Sequence, residues 1–272
     1  MPGPRVLVAS DLDRTLIYST AALALTMPDA RAPRLLTVEV HESKPLSYLT
    51  ETSAHLLTEL GDEAVFVPTT TRTRKQYQRI NLPGPTPTYA ICANGGHLLV
   101  DGVSDPDWYE GVTARLADEC APLEEVRDHL AATADPTWVR KHRIAEDLFV
   151  YLVVERELLP EEWVKELAVW AENRGWTVSL QGRKLYAVPK PLTKSAAMRE
   201  VARRTGAQLT VAAGDSLLDA DLLLAADRAW RPGHGELADA GWSGPTITAL
   251  PERGVMAGER ILREFLRAAR EG

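Results

Sequence analysis

Cysteine is scarce in this chain: Cys92 and Cys120 are the only two among 272 residues. A disulfide framework is thereby excluded, and neither cysteine nor histidine clusters with the spacing of a zinc site. Both thiols read as ordinary buried or half-buried side chains. Long apolar runs are missing too. The run near the start, "VLVA", is broken by Asp11, Asp13 and Arg14, so it is neither a secretory signal nor a membrane-spanning helix. No membrane role is expected, and the default address is the cytoplasm. Positive charge is in deficit, with 31 Lys and Arg against 38 Asp and Glu and a formal net charge of -7. That balance disfavours a general nucleic-acid-binding surface and suits a bound cation. Internal repeats, low-complexity segments and heptad runs are absent, which excludes solenoids and coiled coils.

What is present suffices for a full core. With 45% hydrophobic and 25% charged residues, the chain is globular, with one large domain or two modest ones. "VLVASDLDRTLIYS" puts two aspartates at the end of a β-rich run, "KPLSYLTETSAHLLTELG" has helical spacing with a Gly stop after Leu60, and "AVFVPTTTRT" is a second strand with a polar end. Strand, helix, strand is the order a parallel sheet requires. "LTVEVHES" reads as an added strand or flap with His41 and Lys44 near its end, "NLPGPTPT" as a loop, and "TYAICANGG" as a strand ending at Asn94, Gly95 and Gly96. From about Leu98 the texture becomes that of an α+β insert. Helices over "DWYEGVTARLADEC" and "PLEEVRDHLAAT" precede a strand, "DLFVYLVVE"; a helix over "PEEWVKELAVWAENRG" and the strands "WTVSLQG" and "KLYAVPK" follow. The α/β rhythm then resumes with a helix, "KSAAMREVARRTG", stopped by Gly206, a buried strand, "LTVAAGDS", and a helix begun by "DADLLLAA".

In open α/β sheets the crevice beyond the carboxyl ends of the strands is the usual ligand site, so Asp11 and Asp13 point to a ligand. A solvated turn that carries Asp because Asp suits turns is the other reading. Four segments line up at strand ends or a helix start: "DLDRT", "TTTR", "TKSAAM" and "GDSLLD". Together, in this order, they closely resemble the haloacid dehalogenase-like phosphohydrolases, and the resemblance covers about residues 1–80 and 186–272. It implies an α/β fold: a Rossmann-like core, its parallel sheet flanked by helices, over residues 1–82 and 186–272. An inserted α+β cap of the C2 type, over residues 83–185, would choose the substrate. "ANGG" resembles the segment that opens such caps. Within the class the chain is most similar to sugar-phosphate phosphatases related to sucrose phosphatase and to Cof-type enzymes, and more faintly to members associated with tellurite-resistance operons.

The implied activity is magnesium-dependent hydrolysis of a small phosphorylated metabolite. Phosphate monoesters are anionic and resist attack by water, so a positioned nucleophile and cancelled charge are what an enzyme can add. By resemblance Asp11 is the nucleophile that forms an aspartyl-phosphate, and Asp13 the general acid and base. Thr70 would hydrogen-bond a phosphoryl oxygen, with Thr69 and Thr71 as alternatives, and Lys194 would offset charge on nucleophile and phosphate. Mg2+ would be held by the Asp11 carboxylate, the Asp13 carbonyl and Asp215, with Asp219 a further ligand or the holder of a metal-bound water. Thr15, Arg72, Asn94 and Gly95 complete the substrate surface expected of the core.

Two positions depart from the family pattern: Arg14 stands where Gly is common, as structural variation or anion contact, and Leu218 stands where many relatives have Asn. In "RPGHGEL", His234 is a substrate contact or an ordinary loop histidine. "WVRKHR", before a strand, supplies Arg140, Lys141 and Arg143 to grip a second anionic group or sugar hydroxyls, unless it is a solvated cap edge. Trp163, Trp170 and Trp176 read mainly as core. A phosphotransferase such as a phosphomutase is the alternative within this fold. A catalytically silent binding module is a third reading, against which the intact set of Asp11, Asp13, Thr70, Lys194 and Asp215 argues.

Overall fold

The computed structural model describes residues 6–272; what the sequence suggested for Arg5 and the residues before it lies outside them. β1 (Val6–Ser10) is buried along its whole length, as a strand covered on both faces must be, which is why it reads as an unbroken apolar run. An antiparallel hairpin follows, β2 (Leu35–His41) and β3 (Lys44–Thr50), with Glu42 and Ser43 at positive φ in its turn. This is the expected flap, but it takes residues 44–50, which the leucine spacing assigned to a helix. Pairing with β2 outweighs that spacing, because Tyr48 and Thr50 suit extended backbone and all residues of β3 but Leu46 gain a partner on β2. α1 (Glu51–Glu63) therefore starts at Thr50, whose Oγ1 accepts the Ser53 N–H at 3.0 Å, and runs through Gly61. β4 (Val65–Pro68), α2 (Arg74–Tyr77) and an antiparallel meander of β5 (Tyr89–Cys92), β6 (His97–Val100) and β7 (Val103–Ser104) complete this half.

The insert comprises α3 (Pro106–Glu119), α4 (Leu123–Thr133), β8 (Val139–Ala145), β9 (Phe149–Val154), α5 (Glu161–Glu172), β10 (Trp176–Gln181) and β11 (Lys184–Pro189). The chain returns through α6 (Lys194–Thr205), β12 (Leu209–Ala213), α7 (Ala220–Ala225), β13 (Arg228–Arg231), α8 (Glu236–Asp239), β14 (Ile247–Ala249) and α9 (Val255–Glu271).

Two compact units result, one of the residues up to Ser104 with those from Lys194 onward, the other of Asp105 to Thr193. The insert was read as residues 83–185; the second unit begins later because "TYAICANGG" is tied to the first. Thr69 bridges Ile91 in parallel, and the Thr70 N–H donates to the Ile91 carbonyl at 2.8 Å. In the first unit the sheet order is β14-β13-β12-β1-β4, all parallel. α9 packs Ile261, Leu262 and Phe265 into the same apolar cluster as Val8 of β1 and Leu60 of α1.

The second unit has a four-stranded antiparallel sheet, β10-β11-β9-β8. "WVRKHR" is thus mostly the edge strand β8 itself rather than a run before a strand. Trp176 is buried and donates its Nε1–H to the Ala121 carbonyl at 2.9 Å. Trp163 lies against Trp138 with ring centroids 4.7 Å apart, and Trp170 stacks on His129 and carries Arg174 over its ring. Cys92 is buried, Cys120 half-buried, and the two are not bridged. Among the described residues no helix is long and apolar enough to cross a membrane.

Candidate active site

Ser10, the last residue of β1, is in register with Ala213 of β12 on one side and Pro68 of β4 on the other. The residues that follow leave the sheet together at its carboxyl edge: Asp11, then Thr69 to Thr71, then Asp215. Lys194, the first residue of α6, is completely buried and donates to Asp11 Oδ1 at 2.7 Å and to Asp219 Oδ1 at 2.5 Å. Asp219 Oδ2 accepts from the backbone N–H groups of Asp215 at 3.1 Å and Ser216 at 2.9 Å, and from Ser216 Oγ at 2.7 Å. Both of its oxygens thus accept hydrogen bonds that tie Lys194 and the turn carrying Asp215 to it. Gly214 permits this, since a Cβ there would lie 2.3 Å from that of Asp219.

Carboxylate oxygens of Asp11, Asp215 and Asp219 lie within 4.8 Å of one another, all three buried. Against these acids stand Lys194 and Arg14, whose Nε is 3.4 Å from Asp215 Oδ2. Arg14 makes this contact from a left-handed backbone, φ 64°, the conformation that explains why Gly suits the position. Burial, and then repulsion from Asp219 and Asp13 that Lys194 only partly offsets, pushes the Asp11 carboxyl up to about 7. Burial and the neighbouring Asp11 and Asp219 raise Asp215 as well. Burial works against the Lys194 ammonium, but Asp11 and Asp219 outweigh it and its pKa is raised. The cluster is thus short of positive charge, and a hard divalent cation with oxygen ligands fits what is missing.

That imbalance has a testable sign. A carboxyl whose folded pKa lies above its unfolded value near 3.8 favours the fold below that value, and the contribution is lost as pH rises through about 7. A cation competes with the same proton. Calorimetric titration of the metal-free protein with Mg2+ should therefore show tighter binding at about pH 8 than at about pH 6, with proton release at the lower pH. Equal affinity and no proton release would contradict the charge account.

Asp13 is held differently. Its side chain is 43% exposed, and Arg72 grips it with both branches of the fork, Nε to Oδ2 at 2.6 Å and Nη2 to Oδ1 at 2.7 Å. The remaining nitrogen of Arg72, Nη1, reaches Glu39 Oε2 at 2.8 Å. Arg72 was expected on the substrate; its guanidinium is instead engaged by protein carboxylates.

The threonines separate cleanly. Thr69 Oγ1 donates to the Val67 carbonyl at 3.0 Å. Thr70 Oγ1 accepts the Arg72 N–H at 3.1 Å and keeps its own hydrogen to donate. Thr71 is 8% exposed and Thr15 fully buried, its hydroxyl without a partner. Asn94 and Gly95 form a turn at positive φ next to the threonine loop, where the Asn94 N–H donates to the Thr70 carbonyl at 3.0 Å, and both belong to the first unit. His234 accepts the Gly254 N–H at Nδ1 and donates from Nε2 to the Arg14 carbonyl at 2.7 Å. Burial lowers its pKa, and the neutral ring buttresses the Arg14 backbone. Leu218 is buried at 5% exposure. Arg140 and Arg143 belong to the second unit: Arg140 pairs with Glu155 at 2.8 Å, and Arg143 is exposed on β8. His41 and Lys44 flank the exposed flap turn. Sequence reasoning missed Glu39, and with it the Arg72 network.

No family model matches this chain, and no curated protein does. Solved structures do. A sucrose-phosphatase from Synechocystis, determined with sucrose and phosphate, has a TM-score of 0.64 and 14% identity, covering 96% of this chain and 98% of that one. The C-terminal domain of trehalose-6-phosphate phosphatase from C. albicans has a TM-score of 0.57 and 14% identity over 97% and 93%. A haloacid dehalogenase-like hydrolase from B. subtilis has a TM-score of 0.54 and 14% identity over 96% and 98%. The match runs through both units, parallel-sheet core and α+β insert alike, and the fold of this chain is that of the haloacid dehalogenase-like phosphatases.

Proposed function

We propose that this chain is a magnesium-dependent phosphatase that hydrolyses a small phosphorylated metabolite, of the sugar-phosphate kind, through an aspartyl-phosphate at Asp11. The observation that carries the reading is the buried Lys194 ammonium bonded to Asp11 at the tip of β1, with Asp215 beside it. An Asp11 oxygen attacks phosphorus in line; the bond from phosphorus to the leaving oxygen breaks, and that oxygen takes the electron pair and a proton from Asp13. Water then attacks the same phosphorus, Asp13 takes its proton, and inorganic phosphate leaves with Asp11 restored. Thr70 donates to a phosphoryl oxygen, and Lys194 holds Asp11 and balances charge on the transferring group. Asp11, the Asp13 carbonyl and Asp215, with Asp219 behind, would hold Mg2+, which would supply further charge neutralisation on the transferring group.

The test is a magnesium-dependent phosphate-release screen over sugar, polyol, glycerate and nucleotide phosphates. Free phosphate supports hydrolysis, and an isomeric sugar phosphate in its place identifies a phosphotransferase. Ligand binding without turnover on any compound would revive the silent module.

The second unit is proposed to recognise the leaving group. Arg143, Tyr151, Tyr186 and Ser179 are successive partners across its four strands and share one face. Arg143→Ala is expected to lower kcat/KM for the natural substrate about tenfold, the worth of one charged hydrogen bond. Turnover of para-nitrophenyl phosphate should barely change. Arg140→Ala should do less, its guanidinium being occupied by Glu155. Equal losses on both substrates would contradict the division of labour between the units.

A further inference from the structure

The flap hairpin carries a buried acid that the chemistry above does not use. Glu39 lies in β2, where the strand pattern calls for an outward, solvated side chain, yet it is 1% exposed. Its carboxylate receives Arg72 Nη1 at 2.8 Å on Oε2, Arg79 Nη2 at 3.1 Å on Oε1, and the Ser47 hydroxyl of β3 at 2.7 Å on Oε2. Burial alone would raise its pKa, but Arg72, Ser47 and Arg79 bring it below the usual value, so it is an anion. Ser47 Oγ lies also 3.4 Å from Arg72 Nη2. The guanidinium of Arg72 is thereby fixed on two edges, by Glu39 on one and by Asp13 on the other. A planar fork held this way has one orientation, and it transmits that orientation to whatever it grips.

We infer that Glu39 is a positioning residue: through Arg72 it sets the place of the Asp13 carboxyl, and so couples the flap hairpin to proton delivery at the leaving oxygen. This rests on the assignment of Asp13 as general acid. β2 is bent where this happens, the pairing with β3 shifting register on both sides of Glu39. A bulge that turns a side chain inward is a device for aiming it. Arg79, from the loop after α2, closes the other oxygen of Glu39, so the carboxylate cannot rotate away without breaking two further contacts.

The experiment compares two esters by kcat/KM, which reports only the steps up to departure of the leaving group. An alkyl phosphate such as glycerol phosphate needs its leaving oxygen protonated; 2,4-dinitrophenyl phosphate does not. In Glu39→Gln, kcat/KM for the alkyl ester should fall tenfold or more, while that for the dinitrophenyl ester stays within about twofold, since general acid catalysis is worth about a hundredfold or more. On the dinitrophenyl ester kcat and KM should fall together, with a burst of dinitrophenolate, because Asp13 is also needed to activate water in the second step. Ser47→Ala, which leaves all charges in place, should give the same signature in weaker form and serves if the glutamine variant does not fold. Equal losses on both esters, or none on either, in a folded variant would overturn the inference while leaving the phosphatase reading intact. A wild-type protein that releases phosphate from neither ester would overturn both.

Discussion

The Asp11→Asn variant is expected to fold, to melt at or above the wild-type temperature without metal, and to turn over at less than about a thousandth of the wild-type rate. The two halves of that expectation have one cause. Asp11 is among three buried carboxylates that share too little positive charge, and burial has already pushed its carboxyl up to about 7. An amide of the same shape removes a charge that the fold tolerates poorly, and it still accepts the Lys194 hydrogen bond. It cannot make an acyl-phosphate. Loss of activity with unchanged or improved stability separates a nucleophile from a structural residue, for which both would fall. Phosphate release and differential scanning calorimetry on one preparation read the two quantities, and activity above a few per cent would remove Asp11 from its role.

Lys194→Met is expected to cost stability as well as activity. The side chain has no solvent exposure and bridges Asp11 and Asp219; methionine keeps its volume but leaves both buried carboxylates without their counter-ion. Breaking a buried ion pair from one side costs roughly 3 kcal/mol, about 6–12 °C in melting temperature for a chain of this size. The deficit should be largest at neutral and higher pH and shrink as pH falls. A carboxylate left without its cation has a raised folded pKa, and stability returns as the proton is taken up. Turnover should fall at least a hundredfold, because the same cation balances charge on the nucleophile and the transferring group. An unchanged melting temperature between about pH 5 and 8 would contradict the charge assignment.

How much of this was legible in the sequence depends on whether the signal is local. β1 and the inner half of β12 are buried, and Asp11 and Asp215 follow them within two residues, so an apolar run soon followed by Asp announced each strand. The helix that begins at Lys194 was legible because its apolar spacing follows a polar start and ends at Gly206. Residues 44–50 were not legible as β3, since Leu46 and Leu49 sit at helical spacing and only the partner strand β2 decides otherwise. The basic run at Arg140 to Arg143 reads as a charged segment before a strand until its partner β9 makes it an edge strand. Glu39 was invisible for a related reason: in "LTVEVHES" it falls at a place that alternation assigns to solvent. Its partners, Arg72 and Arg79, arrive from more than thirty residues away. Arg14 was noticed as a departure, but its meeting with Asp215 depends on two strand ends lying side by side. Spacing finds groups that one element presents together, and misses pairs that exist only once the sheet is assembled.

The central claim is that Asp11 carries the phosphoryl group. A crystal structure of the wild-type protein with Mg2+ and beryllium fluoride tests it without a substrate, because the tetrahedral fluoride mimics an acyl-phosphate and needs a carboxylate oxygen as its fourth ligand. Beryllium bonded to an oxygen of Asp11, its fluorines within reach of Thr70 and Lys194 and the metal beside Asp215, is the predicted result. Beryllium on any other residue, or none at Asp11 with magnesium in place, would contradict the account.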